Sequence, residues 1–209
     1  GMTWQLRLYR VAAVGLSPLV LVHMVRRRLL GLEVSLSQRL GLGISPRVPP
    51  KGTSTVWVHG ASVGESLSAL TLARMLGERD NTLRFIITSG TASGASVVSQ
   101  RISSSPHDHA VVLGVTQAPV DLPWSVRWFL KAWQPRALVC IESELWPTML
   151  WECHRSGMPL LLVDGRISPR SAARWGTWPA CGLIVDLMRR FSLVICQSEG
   201  DRERLERLG

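Results

Sequence analysis

No two of the four cysteines, Cys140, Cys153, Cys181 and Cys196, form a C-x-x-C pair, and no histidines show metal spacing beyond His107-Asp108-His109. That removes the common zinc and dithiol frameworks. Cys140 and Cys196 fall inside apolar runs, so buried free thiols in a reducing compartment are the simplest expectation. His107 and His109 follow Ser103-Ser104-Ser105-Pro106 and read as solvated residues of a polar loop. A G-x-G-x-x-G fingerprint followed by an acid about 20 residues on is also missing, which argues against an ordinary dinucleotide-binding enzyme. Nor is the globular part basic. Residues 1–51 hold eight Lys or Arg against one acid, a balance of +7, whereas the other 158 hold sixteen against fourteen, a balance of +2. That argues against a broad nucleic-acid surface, which needs basic residues clustered on the folded domain, and no nucleic-acid partner is expected. No segment is compositionally disordered, and 46% apolar residues are enough for a core.

Long apolar runs are scarce as well. Val11 to Val25, VAAVGLSPLVLVHMV, is fifteen residues long, is interrupted by Ser17-Pro18, and meets Arg26-Arg27-Arg28. A membrane span needs roughly 20. A cleavable signal fits poorly, since no small-residue cleavage site follows and an Arg cluster does. That cluster points to a cytoplasmic face. Residues 1–30 are expected to form a membrane-anchor or interfacial helix, with a single span and an interfacial helix both open and a buried helix as the alternative. Residues 31–50 read as a linker and 51–209 as the main domain.

What the chain does have, beyond residue 50, is alternation. β-like runs at Val56–Val58, Leu83–Thr88, Ala110–Leu113, Ala137–Ile141, Leu160–Val163 and Leu193–Cys196 are separated by helical stretches at Glu65–Leu76, Ala92–Arg101, Ser125–Trp133, Thr148–Ser156, Ser171–Arg190 and Glu199–Leu208. Nearly continuous apolar strands alternating with helices predict an α/β fold, a Rossmann-like parallel sheet with helices on both faces. Function then belongs at the carboxyl ends of the strands.

Several polar residues converge on that rim. Strand one runs into His59-Gly60-Ala61-Ser62-Val63-Gly64 and delivers Glu65 to a helix start, where backbone N–H groups favour anions. A carboxylate there suits proton chemistry, although complementing the helix dipole is the plain structural alternative. Gly60 to Gly64 also matches G-x-S-x-G, which would make Ser62 a hydrolase nucleophile, but Asp164 has no histidine after it to complete the triad order. Further along the rim lie Ser89, then Glu142 to Pro147, then Asp164 to Ser168 with Arg166. Glu142 ends an apolar strand, where ionisation is costly without a partner, and an ion pair with Arg166 is its structural alternative.

Together these stretches resemble the Kdo (3-deoxy-D-manno-octulosonic acid) transferases. The family's H-A-x-S-x-G-E is approximated by His59 to Glu65, and its D-x-P-x-x-x-x-R-F-L by Asp121-Leu122-Pro123 through Arg127-Trp128-Phe129-Leu130. E-x-E-L-W-P is complete as Glu142 to Pro147, and N-A-R-x-S appears as Asp164 to Ser168. Two stretches depart: Thr88 to Gly94 lacks the proline of T-T-T-P-T-G, and Asp164-Gly165 replaces Asn-Ala. The resemblance implies the N-terminal, acceptor-binding half of a two-domain, inverting GT-B glycosyltransferase that moves Kdo from CMP-Kdo to a lipid A precursor. It implies Glu65 as catalytic base, with Ser62, Gly64, Ser89, Glu142, Glu144 and Arg166 as substrate-binding residues. No metal and no cofactor are implied, because helix N-termini and basic side chains can stabilise the leaving phosphate. The implied place is a membrane surface, the cytoplasmic face of a bacterial inner membrane or a plant organelle membrane. Contacts to CMP-Kdo would come from a C-terminal domain. A non-catalytic, membrane-attached lipid-binding module is the remaining alternative.

Overall fold

Three N-terminal helices, α1 (Trp4–Gly15), α2 (Ser17–Leu29) and α3 (Leu36–Arg39), precede a strand–helix alternation that runs to Leu208. Its elements are β1 (Ser54–Gly60), α4 (Val63–Arg79), β2 (Leu83–Ser89), α5 (Ala92–Ser103), α6 (Pro106–Val111), β3 (Val112–Gln117) and α7 (Pro123–Trp133). They continue with β4 (Ala137–Ile141), α8 (Pro147–Arg155), β5 (Leu160–Gly165), α9 (Pro169–Trp175), α10 (Ala180–Met188), β6 (Phe191–Cys196) and α11 (Glu199–Leu208). The structure is a computed structural model and describes residues 2–31, 35–42, 48–142, 145–178 and 180–209.

The six strands form one parallel sheet in the order β3-β2-β1-β4-β5-β6. The order reverses between β1 and β4, so a crevice opens at the carboxyl ends of those strands. Alternate side chains feed two cores. Val58, Phe85, Ile87 and Ile141 pack with Ala69, Leu70 and Ala73 of α4 on one face. Trp57, Ile86, Leu138 and Leu162 pack with Phe129, Leu150 and Ile184 on the other. Burial on both faces is why the strands lack apolar–polar alternation.

Three expectations are corrected. Ala110 and Val111 belong to α6, and the third strand starts only at Val112. Likewise, His107, Asp108 and His109 are helical rather than in a polar loop. Ser105 caps this helix, Pro106 opens it, and buried Asp108 takes both nitrogens of an Arg74 fork, which holds its carboxyl below the ordinary range. The single helix expected over Ser171–Arg190 is two, α9 and α10, with Gly176 capping the first. Gly176, at the helix end, accounts for the break.

The N-terminal segment is docked. One face of α1, at helical spacing, meets the domain: Thr3 donates to Asp186, Leu6 is fully buried, Tyr9 donates to Asp121 at 2.8 Å, and Arg10 reaches Glu152 at 2.6 Å. Full burial of Leu6 contributes about 1.5–3 kcal/mol. Glu152 is itself buried, with Arg127 and Arg155 each 3.4 Å away, so its charge has three cationic neighbours. The stretch read as a linker carries α3, which Arg39 fixes by donating to the Ala118 carbonyl at 2.8 Å. Among the described residues no single helix is long and apolar enough to cross a membrane; α1 and α2 together would pass by length and composition, but they bend by 53°. Their outward face is apolar, with Leu8, Val11, Leu19 and Val22 each more than half exposed.

Candidate active site

At the end of β1 the chain turns over its own helix start. Ser62 caps α4, its hydroxyl oxygen accepting the Glu65 N–H at 3.2 Å. In return Glu65 accepts the Ser62 hydroxyl proton on Oε1 at 2.9 Å and the Ala61 N–H on Oε2 at 2.8 Å. This is a reciprocal capping arrangement written as Ser-x-x-Glu, extended one residue upstream. It fixes the Glu65 rotamer at the rim while leaving each carboxylate oxygen a further lone pair. The Ser62 hydroxyl proton is thus directed to a carboxylate rather than to an imidazole, and His59 Nδ1 pairs with Thr88 Oγ1 at 2.9 Å. The hydrolase elbow is not assembled.

Close approach explains the small residues here. A Cβ on Gly60 would sit 2.7 Å from the Glu65 carbonyl carbon, and one on Gly90 would sit 2.8 Å from the Ala61 oxygen. The β1 turn therefore rests directly on the β2 turn, which closes the floor beneath Glu65. Ser89 lies in that floor. It is fully buried, and its hydroxyl oxygen accepts from Ser66 at 2.9 Å.

Across the switch point, β4 and β5 end in matching distortions. Glu142 (φ 61°) and Asp164 (φ 59°) both adopt left-handed backbone, uncommon for non-glycine residues and worth of order 1–3 kcal/mol of strain each. The Glu142 N–H continues the ladder to the Val163 carbonyl at 2.9 Å while its side chain turns to Arg166, which donates to it at 3.0 Å. The expected ion pair is present.

Arg166 is aimed by a clamp that sequence reasoning missed. Asp201, in the first turn of α11, accepts the Ile167 N–H at 2.9 Å, and Arg204 donates to the Ile167 carbonyl at 2.7 Å and to Asp201 at 2.9 Å. Hydrogen bonds from Ser198, Ile167 and Arg204 hold the Asp201 carboxyl down at about 2. The signal was available, since Ser198-Glu199-Gly200-Asp201 is a capping sequence, but nothing local says that Asp201 reaches the β5 loop.

These groups enclose a cleft of about 670 Å³, a size suited to a small-molecule ligand. Glu65, Glu142 and Arg166 line it, with Leu145 and Trp175 as apolar walls and two hydroxyls, Ser168, which donates to Ser171 at 3.0 Å, and Ser171. Among the described residues Ser62, Gly64 and Ser89 are not part of that lining: Ser62 acts through Glu65, and Ser89 supports the floor. Glu144 lies outside the described residues. A carboxylate fixed at one wall and a carboxylate–guanidinium pair at another can accept a proton from a hydroxyl and hold an anionic or polyhydroxyl ligand beside it.

Asp121, the acid of the D-x-P stretch, supports the cleft from behind. It accepts the N–H groups of Thr148 and Met149 at 3.0 and 2.7 Å, capping α8 from a distance, and takes the Tyr9 hydroxyl as well. Burial pushes its carboxyl up, against the hydrogen bonds that favour its charged form.

A family model described as 3-deoxy-D-manno-octulosonic-acid transferase (kdotransferase) matches residues 34–209. A probable mitochondrial 3-deoxy-D-manno-octulosonic acid transferase of Arabidopsis thaliana is 33% identical over 190 residues, 90% of this chain and 40% of that protein. A 3-deoxy-D-manno-octulosonic acid transferase of Rickettsia felis is 38% identical over 157 residues, 75% of this chain and 32% of its own length. One from Rickettsia bellii is 32% identical over 206 residues, 98% of this chain and 46% of its own length. The chain spans less than half the length of these relatives.

Proposed function

Since the chain belongs to the 3-deoxy-D-manno-octulosonic acid transferase family, we propose that it is the acceptor-binding half of an inverting GT-B enzyme that moves Kdo from CMP-Kdo to a lipid A precursor in lipopolysaccharide biosynthesis. The observation that carries this reading is the Glu65 carboxylate, held by Ser62 and Ala61 at the wall of a cleft that also contains the Glu142–Arg166 pair. In the transfer the acceptor oxygen forms a bond to the anomeric carbon, the bond to the CMP phosphate breaks with its electron pair leaving on CMP, and Glu65 takes the acceptor hydroxyl proton. General-base help of this kind is worth about 10²–10⁴-fold. Arg166, Ser168 and Ser171 hold the acceptor's phosphate and hydroxyl groups, and Glu142 aims Arg166.

The same reading puts the apolar outer face of α1–α2 on a membrane, with Arg26, Arg27 and Arg28 toward anionic headgroups. In a bacterial cell this is the cytoplasmic face of the inner membrane, and in a plant an organelle membrane. The donor needs a second domain, so the direct experiment titrates the 209-residue chain separately with CMP-Kdo and with a lipid A precursor. Acceptor binding without donor binding, and no transfer when both are present, is the expected result. Transfer by this chain alone would overturn the two-domain reading.

A further inference from the structure

A second cavity of about 380 Å³ lies under the bend between α1 and α2. Ala12, Ala13, Leu16, Val20, Leu122 and Trp146 give it an apolar lining. Its polar members are engaged with protein: Tyr9 bonds Asp121, Asp121 caps α8, and Arg39 bonds the Ala118 carbonyl. A ligand entering it would meet methyl and methylene groups and satisfied polar atoms, which suits a hydrocarbon chain and disfavours a sugar or an anion.

Two relationships say which hydrocarbon. The first is adjacency: Leu145 lines the polar cleft, and the next residue, Trp146, lines the apolar groove. A single peptide bond joins the two walls, so a molecule with a polar head and an apolar tail can reach from one to the other. The second is access. Leu16, at the helix break, is half exposed and lines the groove, and it continues the outward apolar face formed by Val11 and Leu19. A groove open toward that face can receive a chain from a bilayer while the head stays at the cleft. We propose that this groove is an acyl-chain site, holding one chain of the lipid acceptor whose sugar occupies the neighbouring cleft. The proposal rests on the acceptor reading of that cleft and adds how the lipid is registered against Glu65: the chain fixes the head along the Leu145–Trp146 wall.

The test uses two probes on the 209-residue chain. Laurate carries a chain and no sugar; a deacylated, diphosphorylated glucosamine disaccharide carries the head and no chain. Ala13→Trp fills the groove, and Leu16→Asp sets a charge at its mouth without needing a new packing arrangement, so the test survives if Ala13→Trp undocks α1. Each is expected to weaken laurate binding about tenfold or more, the loss of roughly two buried methylenes, and to leave disaccharide binding unchanged. Arg166→Ala should do the reverse. Laurate affinity unchanged in both groove variants overturns the proposal. If the disaccharide fails to bind while laurate binds and both groove variants weaken it, the acceptor reading of the cleft fails and the acyl site stands.

Discussion

Arg166 donates to the Glu142 carboxylate at 3.0 Å, joining the carboxyl ends of β5 and β4, and both strands enter this contact through left-handed residues, Asp164 and Glu142. The pair is partly solvated, with side chains 58% and 25% exposed, so screening limits what it adds to stability. Its geometry is nevertheless tightly imposed, because Asp201 and Arg204 grip Ile167 next to Arg166 from α11. Strain accepted at both strand ends for a weakly stabilising contact points to a role in holding ligand.

A double-mutant cycle on Glu142→Gln and Arg166→Ala should therefore give a coupling in thermal stability of about 1 kcal/mol or less. Acceptor binding should respond more strongly: Arg166→Ala is expected to weaken it about tenfold or more, as loss of a charge-assisted hydrogen bond does. Calorimetric titration beside melting curves separates the two. Equal losses in both would make the pair structural only.

Asp164→Val should destabilise the domain by about 1–3 kcal/mol, because a β-branched residue strongly disfavours positive φ, while Asp164→Asn should be nearly neutral. Chemical denaturation of the two variants decides it. A harmless valine would mean that the left-handed turn relaxes freely.

Acid sensitivity follows from Asp201. Its folded carboxyl is held at about 2, below the ordinary 3.8, so its stabilising contribution is present above 3.8 and is lost as pH falls toward 2. Asp201→Asn should lower stability at neutral pH and flatten the decline between pH 4 and pH 2. Melting temperatures measured across that range check the sign. A variant that keeps the wild-type decline would assign it to other carboxylates, Asp108 first.

Membrane attachment should reside on the outer face of α1–α2 rather than in α1 as a whole, since Leu6, Tyr9 and Arg10 are committed to the domain. Replacing Leu8, Val11, Leu19 and Val22 by serine should release the chain from anionic vesicles in a sedimentation assay with its melting temperature little changed. Neutralising Arg26, Arg27 and Arg28 should weaken binding by about 1 kcal/mol per residue and make it less salt-sensitive. Full pelleting of both variants would place the attachment elsewhere.

The α/β alternation was legible because strands buried on both faces write continuous apolar runs, and Glu65, Glu142 and Arg166 were legible because strand ends at a switch point collect polar residues. Tertiary contacts were not. Asp108 looked like a loop acid, yet its helix forms around Arg74, 34 residues earlier. Asp121 and Asp201 sit in local patterns, a D-x-P stretch and a capping sequence, but they act through atoms 27 and 34 residues distant, which no local pattern reveals. Ser89 had the right place in the chain for a ligand contact, but glycine-tight packing of the β1 and β2 turns buries it under Glu65. The 53° bend between α1 and α2 was likewise not legible: a fifteen-residue run that contains Ser17-Pro18 does not fix its angle.

The base assignment is tested most directly by single-turnover transfer in an enzyme carrying this chain together with a donor-binding domain, comparing Glu65→Gln with Ser62→Ala. Glu65→Gln can keep the Ala61 N–H on its amide oxygen and reverse the Ser62 bond, its amide N–H donating to the hydroxyl oxygen, while removing the proton acceptor, so the rate of transfer should fall by about 10²–10⁴-fold with acceptor binding retained. Ser62→Ala removes a helix cap worth about 1 kcal/mol and one hydrogen bond to Glu65, and should lower the rate far less. Near-normal transfer by Glu65→Gln with an inactive Ser62→Ala would contradict the account and return the chemistry to the serine.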